Sequence, residues 1–575
     1  MNKFRTWINR LPIIISVLMI LALLTDFGFQ QKVRYEILLE WVDLTLISLY
    51  LIVIIIRYAV FRSFDQRLRL TVIDLAVSAI LLLHLIELPQ LGNFGHPITF
   101  YLVFFVVFIR ELSTTSMALA NRAINPAILF VGSFIFLILM GTLLLLLPNA
   151  TYTEIGFSDA LFTSTSAVCV TGLIVVDTGS FFTLFGQIII LVLIQLGGLG
   201  IMTFTSFFSL FFTGTSTFQD QMMLKDITNS EKVGEVVTTL KRIVITTFTV
   251  ELTAFALIYL SLDGSYFNSS LTERLYFSVF HSISAFCNAG FSTLTESLYE
   301  GPFRFAYAFQ FIVAITFIIG GLGFPIVNNL LQLIKYRFGR LFRKDPVARR
   351  SWILGINTKI ILISTLVLLI VGTAAVFLFE YNHSLAEHDL GGKIITAFFA
   401  GATPRTAGFN NISMTALQPG TILITIFLMW VGASPGSTGG GIKTTTFSVA
   451  TLNFISLAKG KNHIEVFKRE VSNISVRRAF ATISLSIIVL SFAVFSVQTL
   501  DPELSLIDTV FECFSAFSTV GLSLGITADL STGSKMIITL VMFIGRVGAL
   551  TLLIAFIRKK KSHNYKFPTE NILIN

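Results

Sequence analysis

The stretch that decides the fold reads Cys169-Val170-Thr171-Gly172-Leu173, and three later stretches end in a similar way. They are Cys287-Asn288-Ala289-Gly290-Phe291, Arg405-Thr406-Ala407-Gly408-Phe409 and Ser518-Thr519-Val520-Gly521-Leu522. We call these four stretches the glycine segments and number them 1 to 4 in chain order. Their glycines stand at positions 172, 290, 408 and 521, so the successive spacings are 118, 118 and 113 residues. This regularity indicates an internal fourfold repeat.

Two further positions recur in the same register. A phenylalanine stands ten residues before each glycine, and a small residue stands six before it: Phe162, Phe280, Phe398 and Phe511, then Ser166, Ser284, Ala402 and Ser515. Glycine reaches backbone conformations that other residues avoid. Four glycine-centred strands around one axis can point carbonyls inward and replace the water around a cation. The repeat therefore predicts a cation pore.

The composition indicates a membrane protein. Hydrophobic residues make up 54% of the 575 residues and charged residues 13%, against roughly 25% charged in a soluble domain. Apolar runs of about 20 residues recur along the chain, and backbone in hydrocarbon must satisfy its own hydrogen bonds. We therefore predict an all-α integral membrane protein without a soluble domain. The first run, 11–27, lacks a small-x-small cleavage pattern, which favours a retained helix over a signal peptide.

The placement of charge predicts the orientation. The net charge is +9, and basic residues cluster between repeats 2 and 3 (335–350), between repeats 3 and 4 (459–478) and in the tail. The loops leading into the glycine segments carry acids instead: Glu154, Asp159, Asp263, Glu273, Glu387, Asp389, Asp501 and Glu503. Positive loops stay in the cytoplasm. We therefore predict cytoplasmic inter-repeat loops and C-terminus, glycine segments that enter from outside, a cation-attracting outer rim and no nucleic-acid partner.

Each repeat reads as helix, re-entrant half-helix, glycine segment, helix. The predicted repeats span 126–213, 243–334, 358–457 and 479–557, between extra transmembrane helices at 1–125 and a basic cytoplasmic tail at 558–575. The half-helices have about ten residues, too few to span a bilayer, and their C-terminal ends favour a cation. The predicted outer helices are 126–147 and 182–212, 243–262 and 304–334, 358–379 and 421–457, and 479–499 and 534–557.

The second helices of repeats 1, 2 and 4 share a short glycine-containing motif, which we call the glycine mark. It comprises Leu196 to Gly200, Ile319 to Gly323 and Ile544 to Gly548. Small residues in membrane helices favour close packing.

The N-terminal region holds four apolar segments, near 11–27, 37–61, 70–89 and 98–112. A voltage sensor needs several regularly spaced basic residues on one span, and the fourth segment offers Arg110 alone. We interpret Asp74 and His84 as bundle residues.

The third repeat departs from this mark between Gly432 and Thr445. A proline and several glycines there cannot keep a regular helix, so we predict an unwound loop directly below the glycine ring. Its gate residues would be Gly436, Ser437, Thr438, Gly439, Gly440, Gly441 and Lys443. A phosphate-binding loop is disfavoured, because Ile442 separates the last glycine from the lysine and no strand precedes it.

Two arginines lie in the apolar repeats. Arg546 occupies the second-glycine slot of its mark, which favours a positive barrier facing the pore; the alternatives are a salt bridge or a cap on a carbonyl of a neighbouring helix. We interpret Arg405 as a strut that pairs with an acid at the outer face. The three cysteines show no metal-ligand spacing, and we interpret them as small packing residues.

These motifs resemble those of the Trk/Ktr/HKT superfamily of potassium transporters, especially bacterial TrkH- and KtrB-type subunits, over about residues 126 to 557. The resemblance implies a K+-translocating subunit of the bacterial inner membrane without an organic cofactor. The implied filter comprises Cys169, Val170, Thr171, Gly172, Cys287, Asn288, Ala289, Gly290, Arg405, Thr406, Ala407, Gly408, Ser518, Thr519, Val520 and Gly521, with the Lys443 loop and Arg546 as the gate. It also implies a homodimer and a ring of cytosolic RCK-type regulators that sense nucleotides. The four N-terminal segments are a departure, because relatives carry none or two extra helices.

Three classes of function remain at this point. The first is a K+-translocating pore, of high or lower selectivity over Na+. The second is a symporter that couples K+ to Na+ or H+, for which Glu251 and Glu512 are the candidate buried carboxylates. The third is a membrane enzyme, which no paired acids, metal cluster or nucleophile constellation supports.

Overall fold

The computed structural model describes residues 2–29, 33–60, 126–200, 236–267, 270–342 and 355–556, with isolated helical positions between 77 and 111. This part of the chain is mostly helical, as predicted. Its strands are β1 (Glu465–Val466) and β2 (Arg469–Glu470), a short antiparallel hairpin. Most of the third and fourth N-terminal segments, Asp74, His84, Arg110 and the tail 558–575 lie outside the described residues.

The N-terminal region contributes two long helices, α1 (Asn2–Gly28) and α2 (Val33–Val60). They pack through a cluster of buried apolar side chains that includes Ile15, Met19 and Tyr50. The apolar runs at 11–27 and 37–61 are what predicted these helices from the sequence.

The repeat region contains four short helices, one before each glycine segment. Each has 13 or 17 residues, fewer than the about 20 that span a bilayer, and three of the four end three residues before the glycine of their segment. They are α4 (Phe157–Cys169), α8 (Leu271–Cys287), α12 (Leu390–Ala402) and α16 (Leu506–Ser518).

A longer helix precedes each of the short helices. The bounds of the longer helices agree with the predicted first helices to within a few residues, with α7 and α15 starting about six residues earlier. They are α3 (Pro126–Leu145), α7 (Val236–Ser261), α11 (Ile356–Glu380) and α15 (Asn473–Leu500). A four-residue helix, α5 (Thr178–Phe181), follows the first glycine segment.

The second helices of repeats 2 and 4 are broken, which corrects the continuous helices predicted there; the second helix of repeat 3 is interrupted between Trp430 and Thr444, and that of repeat 1 is described as far as Gly200. Their pieces are α6 (Leu184–Leu199), α9 (Tyr307–Leu322) with α10 (Phe324–Phe342), α13 (Pro419–Trp430) with α14 (Thr444–Ala458), and α17 (Thr532–Val547) with α18 (Ala549–Phe556). In three repeats a helix ends at the last glycine of the mark, Gly200, Gly323 or Gly548, with φ of 75°, 86° and 88°. These positive values end an α-helix, and glycine adopts them without steric cost.

The first glycine of each mark packs as predicted. A side chain at Gly197, Gly320 or Gly545 would collide with the backbone carbonyl of Val168, Phe286 or Phe517 respectively. These three carbonyls belong to the last turn of α4, α8 and α16. The mark therefore does two things: its first glycine seats the second helix against a short helix, and its last glycine ends that helix.

Three described helices are long and apolar enough to cross a membrane: Lys241–Ser261, Ile356–Glu380 and Asn473–Leu500. The pair α9 and α10 passes the same test together, with a bend of 107° at its break. Several shorter apolar helices accompany them. The described part of the chain is thus built largely of bilayer-compatible helices around a core rich in buried phenylalanines.

Candidate functional site

The four glycine segments meet in a closed ring. A methyl group on Gly172 would collide with the carbonyl oxygen of Ala289, and one on Gly290 would lie 2.9 Å from that of Ala407. A methyl group on Gly408 would collide with the carbonyl of Val520, and one on Gly521 with that of Thr171. Each glycine therefore faces the residue just before the glycine of the next segment, and the fourth returns to the first.

The backbone of the ring repeats in all four segments. The glycines have φ between 70° and 93°, and the residues two positions earlier, Val170, Asn288, Thr406 and Thr519, have φ between 50° and 70°. At three of these positions the left-handed residue is the C-cap of the preceding short helix. The turn directs the chain away from the helix end, whose unpaired carbonyls carry partial negative charge.

Hydroxyl groups at the ends of the short helices hold the segments in place. The amides of Gly172 and Gly521 donate to Ser166 Oγ and Ser515 Oγ, each at 3.1 Å. In segment 2, Ser284 Oγ donates instead to the carbonyl of Phe291 at 2.7 Å. These serines are the small residues six positions before the glycine, so the recurrence of serine was the sequence signal for this contact.

In segment 3 the hydroxyl that binds the segment backbone comes from the residue one position later, Thr403. Ala402 has no hydroxyl, and Thr403 Oγ1 donates to the carbonyl of Phe409 at 2.6 Å. Helix α12 correspondingly ends at Ala402, and a turn covers the next residues. The phenylalanine that is fully buried here is Phe399, while Phe398, the residue in the repeat register, is half-buried.

All four glycines line one cavity of about 350 Å³, which we call the outer vestibule. Its wall also includes Ser292, Ser523, Thr527 and the exposed Glu296. Glu296 was not predicted, because it follows a glycine segment instead of preceding one. It is the carboxylate that the described structure places on this wall.

Four of the eight acids predicted for the outer rim form contacts away from the vestibule. Asp159 pairs with Lys535 at 2.9 Å, and Glu387 pairs with Arg304. Asp389 and Asp501 accept backbone amides at the starts of helices, from Gly392 at 2.9 Å and from Ser531 at 3.0 Å. These acids stabilise loops and helix ends, and none of them lines the vestibule.

The glycine-rich stretch between α13 and α14 is non-helical and reaches the ring from the opposite side to the vestibule. It is closed at its base by a parallel bridge between Val431 and Ile442. Thr438, Gly439 and Gly440 are buried, while Gly436 is exposed. Gly436 and Gly441 have φ of 72° and 67°, so this stretch could not continue either helix.

The loop touches three of the four segments. Its Thr438 Oγ1 donates to Asn288 Oδ1 at 3.2 Å, and the Gly440 amide donates to Thr519 Oγ1 at 2.9 Å. A side chain on Gly439 would collide with Thr406 Oγ1. The ring and the loop are therefore one hydrogen-bonded and close-packed unit, with Asn288 Nδ2 also donating to Thr406 Oγ1 at 3.3 Å.

Two positively charged side chains, Lys443 and Arg546, contact the loop. Lys443 Nζ donates back to the carbonyl of Gly439 at 2.7 Å. Arg546 donates through Nη2 to the carbonyl of Gly197 at 2.5 Å and through Nη1 to the carbonyl of Thr438. Of the interpretations given for Arg546, the structure shows the carbonyl cap: its side chain joins the end of α6 to the loop.

Arg405 differs from its interpretation as a strut to an outer acid. It is 8% exposed, and its described hydrogen bond runs from Nη1 to the carbonyl of Thr365 on α11 at 3.5 Å. Within the described residues it forms no ion pair. It lies beside a small cavity lined in part by Gly321 and Ala433, at the level of the loop. The three cysteines are free and buried, in agreement with a packing role.

Comparison with known proteins identifies the family. A model of the TrkH family, described as cation transport protein, matches residues 98–566. The chain is 35% identical over 451 residues to the Ktr system potassium uptake protein B of Bacillus subtilis (strain 168), covering 78% of this chain and 96% of that protein. It is 37% identical over 443 residues to the protein of the same name from Vibrio alginolyticus, covering 77% and 93%.

Two further relatives fit the same assignment. The potassium/sodium uptake protein NtpJ of Enterococcus hirae is 34% identical over 462 residues, with 79% of this chain and 98% of that protein covered. The crystal structure of the potassium transporter TrkH from Vibrio parahaemolyticus shares the fold, with a TM-score of 0.60 at 17% identity over 85% of this chain and 97% of that one. These are transport proteins and not enzymes. With its apolar helices, the chain is a multi-pass membrane protein that belongs to the TrkH family of cation transport proteins.

Proposed function

We propose that this protein takes up K+ across the bacterial inner membrane through a filter formed by the four glycine segments. The observation that carries the proposal is the closed ring of Gly172, Gly290, Gly408 and Gly521, all with positive φ and all on the wall of one vestibule. Backbone carbonyls in such a ring can replace the hydration shell of K+. The relatives named as potassium uptake proteins support K+ as the transported ion.

The electrostatics of the four short helices support the same ion class. All four end at the ring, and helix C-termini carry partial negative charge. A cation in the ring would meet this charge together with the carbonyls, and no charged side chain is needed as a ligand. We accordingly propose four helix–half-helix–segment–helix repeats around one pore, with the segments entering from outside.

The loop that contains Thr438 and Lys443 is the proposed gate. It lies against Asn288, Thr406 and Thr519, directly at the ring, and its glycines absorb backbone rotation without steric cost. Deleting Gly436 to Gly441 should raise basal cation flux several-fold in protein that still folds. A folded deletion variant that conducts no faster than the parent would make this loop a structural kink.

We also propose that two copies associate and that a ring of cytosolic RCK-type nucleotide-binding regulators controls the gate. Support comes from the family resemblance and from the basic residues placed between the repeats, in loops predicted to be cytoplasmic. Light scattering in detergent, and flux with and without a purified regulator plus nucleotide, test these two points separately.

A coupled symporter is the second candidate, and one residue favours it. Glu512 on α16 is 1% exposed, and its Oε2 has no hydrogen-bond partner among the described residues. Its Oε1 accepts from Thr527, which lines the vestibule. Glu251 is the weaker candidate, because Gln195 Nε2 donates to it at 3.0 Å.

Rubidium flux decides between the two. Purified protein in liposomes should take up 86Rb+ down its own gradient, and excess K+ should block uptake more strongly than excess Na+. A Na+ or proton gradient imposed at zero Rb+ gradient should drive no accumulation. Accumulation under either gradient would establish the symporter, and absence of Rb+ uptake by folded protein would refute K+ transport.

A further inference from the structure

Two buried polar side chains lie behind the glycine ring at the same register of the repeat. His281 and Glu512 each stand nine residues before their segment glycine, on α8 and α16. Both are inaccessible to solvent, at 0% and 1% exposure. Neither lies on the wall of the outer vestibule, so the proposed conduction path does not use them as ligands.

His281 joins its short helix to the chain just outside the ring. Its Nδ1 lies 2.9 Å from the carbonyl of Phe277, which can only accept, so Nδ1 carries the proton. Its Nε2 lies 3.0 Å from Ser292 Oγ. The Leu294 amide donates to the same Ser292 oxygen at 3.0 Å, which leaves the serine hydroxyl to donate to Nε2.

Glu512 makes the equivalent connection in segment 4 through one additional hydroxyl. Thr527 Oγ1 donates to Glu512 Oε1 at 2.5 Å, and the hydroxyl oxygens of Thr527 and Ser523 lie 2.9 Å apart. The Gly525 amide donates to Ser523 Oγ at 3.0 Å. The Thr527 hydroxyl thus lies within hydrogen-bond distance of both Glu512 Oε1 and Ser523 Oγ and links the two side chains.

The two connections have the same pattern of positions and hydrogen bonds. Ser292 and Ser523 each stand two residues after the segment glycine, each accepts an amide two residues further on, and each lies on the vestibule wall. Each serine is thereby tied to the side chain nine residues before the glycine. The other two segments lack this, with Ile174 and Asn410 in the serine position.

The matching helix positions in those segments confirm the difference. Thr163 is buried, and its hydroxyl has no hydrogen-bond partner among the described residues. Phe399 is fully buried and apolar. Because the ring runs Gly172, Gly290, Gly408, Gly521 and back, segments 2 and 4 lie diagonally across it. The two connections therefore hold the ring from opposite sides.

We infer that His281 and Glu512 are positioning residues that set the discrimination of K+ from Na+, by fixing the width of the ring along the diagonal between segments 2 and 4. The inference rests on the proposed function. Selection by carbonyls depends on how rigidly they keep their spacing when a smaller ion enters. A buried hydrogen-bonded strut on each side resists contraction of the ring, whereas a loose segment would follow the smaller ion inward.

The test compares 86Rb+ uptake and its inhibition by Na+ in proteoliposomes for matched variants. His281→Phe keeps an aromatic ring among Phe277, Phe309 and Phe409 and removes both hydrogen bonds. Ser292→Ala removes the same strut from its other end. Each should lower the Rb+ over Na+ preference about three- to ten-fold, as expected for one buried hydrogen bond, and the double variant should be no worse than either.

The controls separate positioning from general damage. His281→Gln, which retains an acceptor near Ser292, should recover most of the preference. Glu512→Leu should act like His281→Phe, and Glu512→Gln, which keeps the Thr527 acceptor, should remain close to the parent. Thr163→Val changes the same register where no strut exists and should leave the preference unchanged.

The outcomes are distinguishable. A folded Ser292→Ala protein with the parental preference overturns the inference, and this small change carries the test even where His281→Phe does not fold. An equal loss in Thr163→Val also overturns it, because any change in a short helix would then suffice. Absence of Rb+ uptake in the parent would instead refute the proposed function.

Discussion

The hydroxyl of Thr519, in glycine segment 4, accepts a hydrogen bond at 2.9 Å from the amide of Gly440, in the glycine-rich loop between α13 and α14. This contact joins the residue two before the ring glycine to the centre of the proposed gate. Thr519 is therefore one of the side chains that couple the conformation of the ring to the position of the loop.

Thr519→Val should loosen the loop and raise basal 86Rb+ flux about five-fold, since one buried hydrogen bond contributes about 1 kcal/mol. The backbone should tolerate valine, because Val170 already occupies this register in segment 1 with φ 57°. Thr451→Val, on the exposed face of α14, is the matched control and should leave flux unchanged. A folded Thr519→Val protein with parental flux would contradict the coupling.

Gly172→Ser should reduce the preference for Rb+ over Na+ on the order of ten-fold. The added side chain would collide with the carbonyl of Ala289, and a non-glycine residue at φ 90° carries about 1–3 kcal/mol of strain. The ring must shift to accept it. The ratio of inhibition constants for K+ and Na+ against 86Rb+ uptake measures the change, and an unaltered ratio would show that Gly172 does not shape the filter.

Arg546→Gln should increase flux roughly ten-fold. It removes a positive charge beside the proposed ion path and weakens the tie between Gly197 and Thr438 that holds the loop. A unit charge at about 4 Å is worth roughly 4 kcal/mol at an effective dielectric of 20, before water and carbonyls reduce it. Arg546→Lys keeps the charge and should keep flux low. If both variants conduct equally fast, the hydrogen bonds and not the charge control flux.

Glu296→Gln should weaken the apparent affinity for K+ by about two- to three-fold at low ionic strength. The carboxylate lies on the vestibule wall, and a unit charge about 7 Å away in water contributes roughly 0.6 kcal/mol. Because exposed charges are screened, the difference should vanish at high concentrations of an inert salt. Glu503→Gln, on an exposed outer loop away from the vestibule, should have no effect at either salt concentration.

The loop that carries His388 should lose stability as the pH falls. Burial, with Arg304 nearby, holds the pKa of His388 below its ordinary value of 6.5, and Nδ1 lies 3.0 Å from the hydroxyl of Tyr307. The unfolded chain thus binds a proton more readily than the folded one. Stability contributed by the neutral imidazole is present above pH 6.5 and declines as the pH drops toward the folded pKa. Thermal unfolding in detergent should show this decline, and His388→Asn should flatten it.

The sequence by itself determined the features that recur in the four repeats. The spacing of the glycines, the helix ends before them and the serines six positions earlier follow from local rules: glycine or a left-handed residue ends a helix, and a hydroxyl at its last turn caps the exiting chain. These features depend on residues close together in the chain, so a pattern of single residues carried them. The identity of the ring glycines as ion ligands stays a prediction.

The tertiary structure alone decided how the repeats meet. The order of the segments around the ring and the partners of Arg405 and Arg546 depend on contacts between residues far apart in the chain. The same holds for the acids. The sequence around a loop carboxylate does not distinguish whether that carboxylate pairs with a lysine, caps a helix or faces the vestibule. Only packing in three dimensions selects among partners of similar chemistry, and this is why Glu296 was found from the structure and not from the sequence.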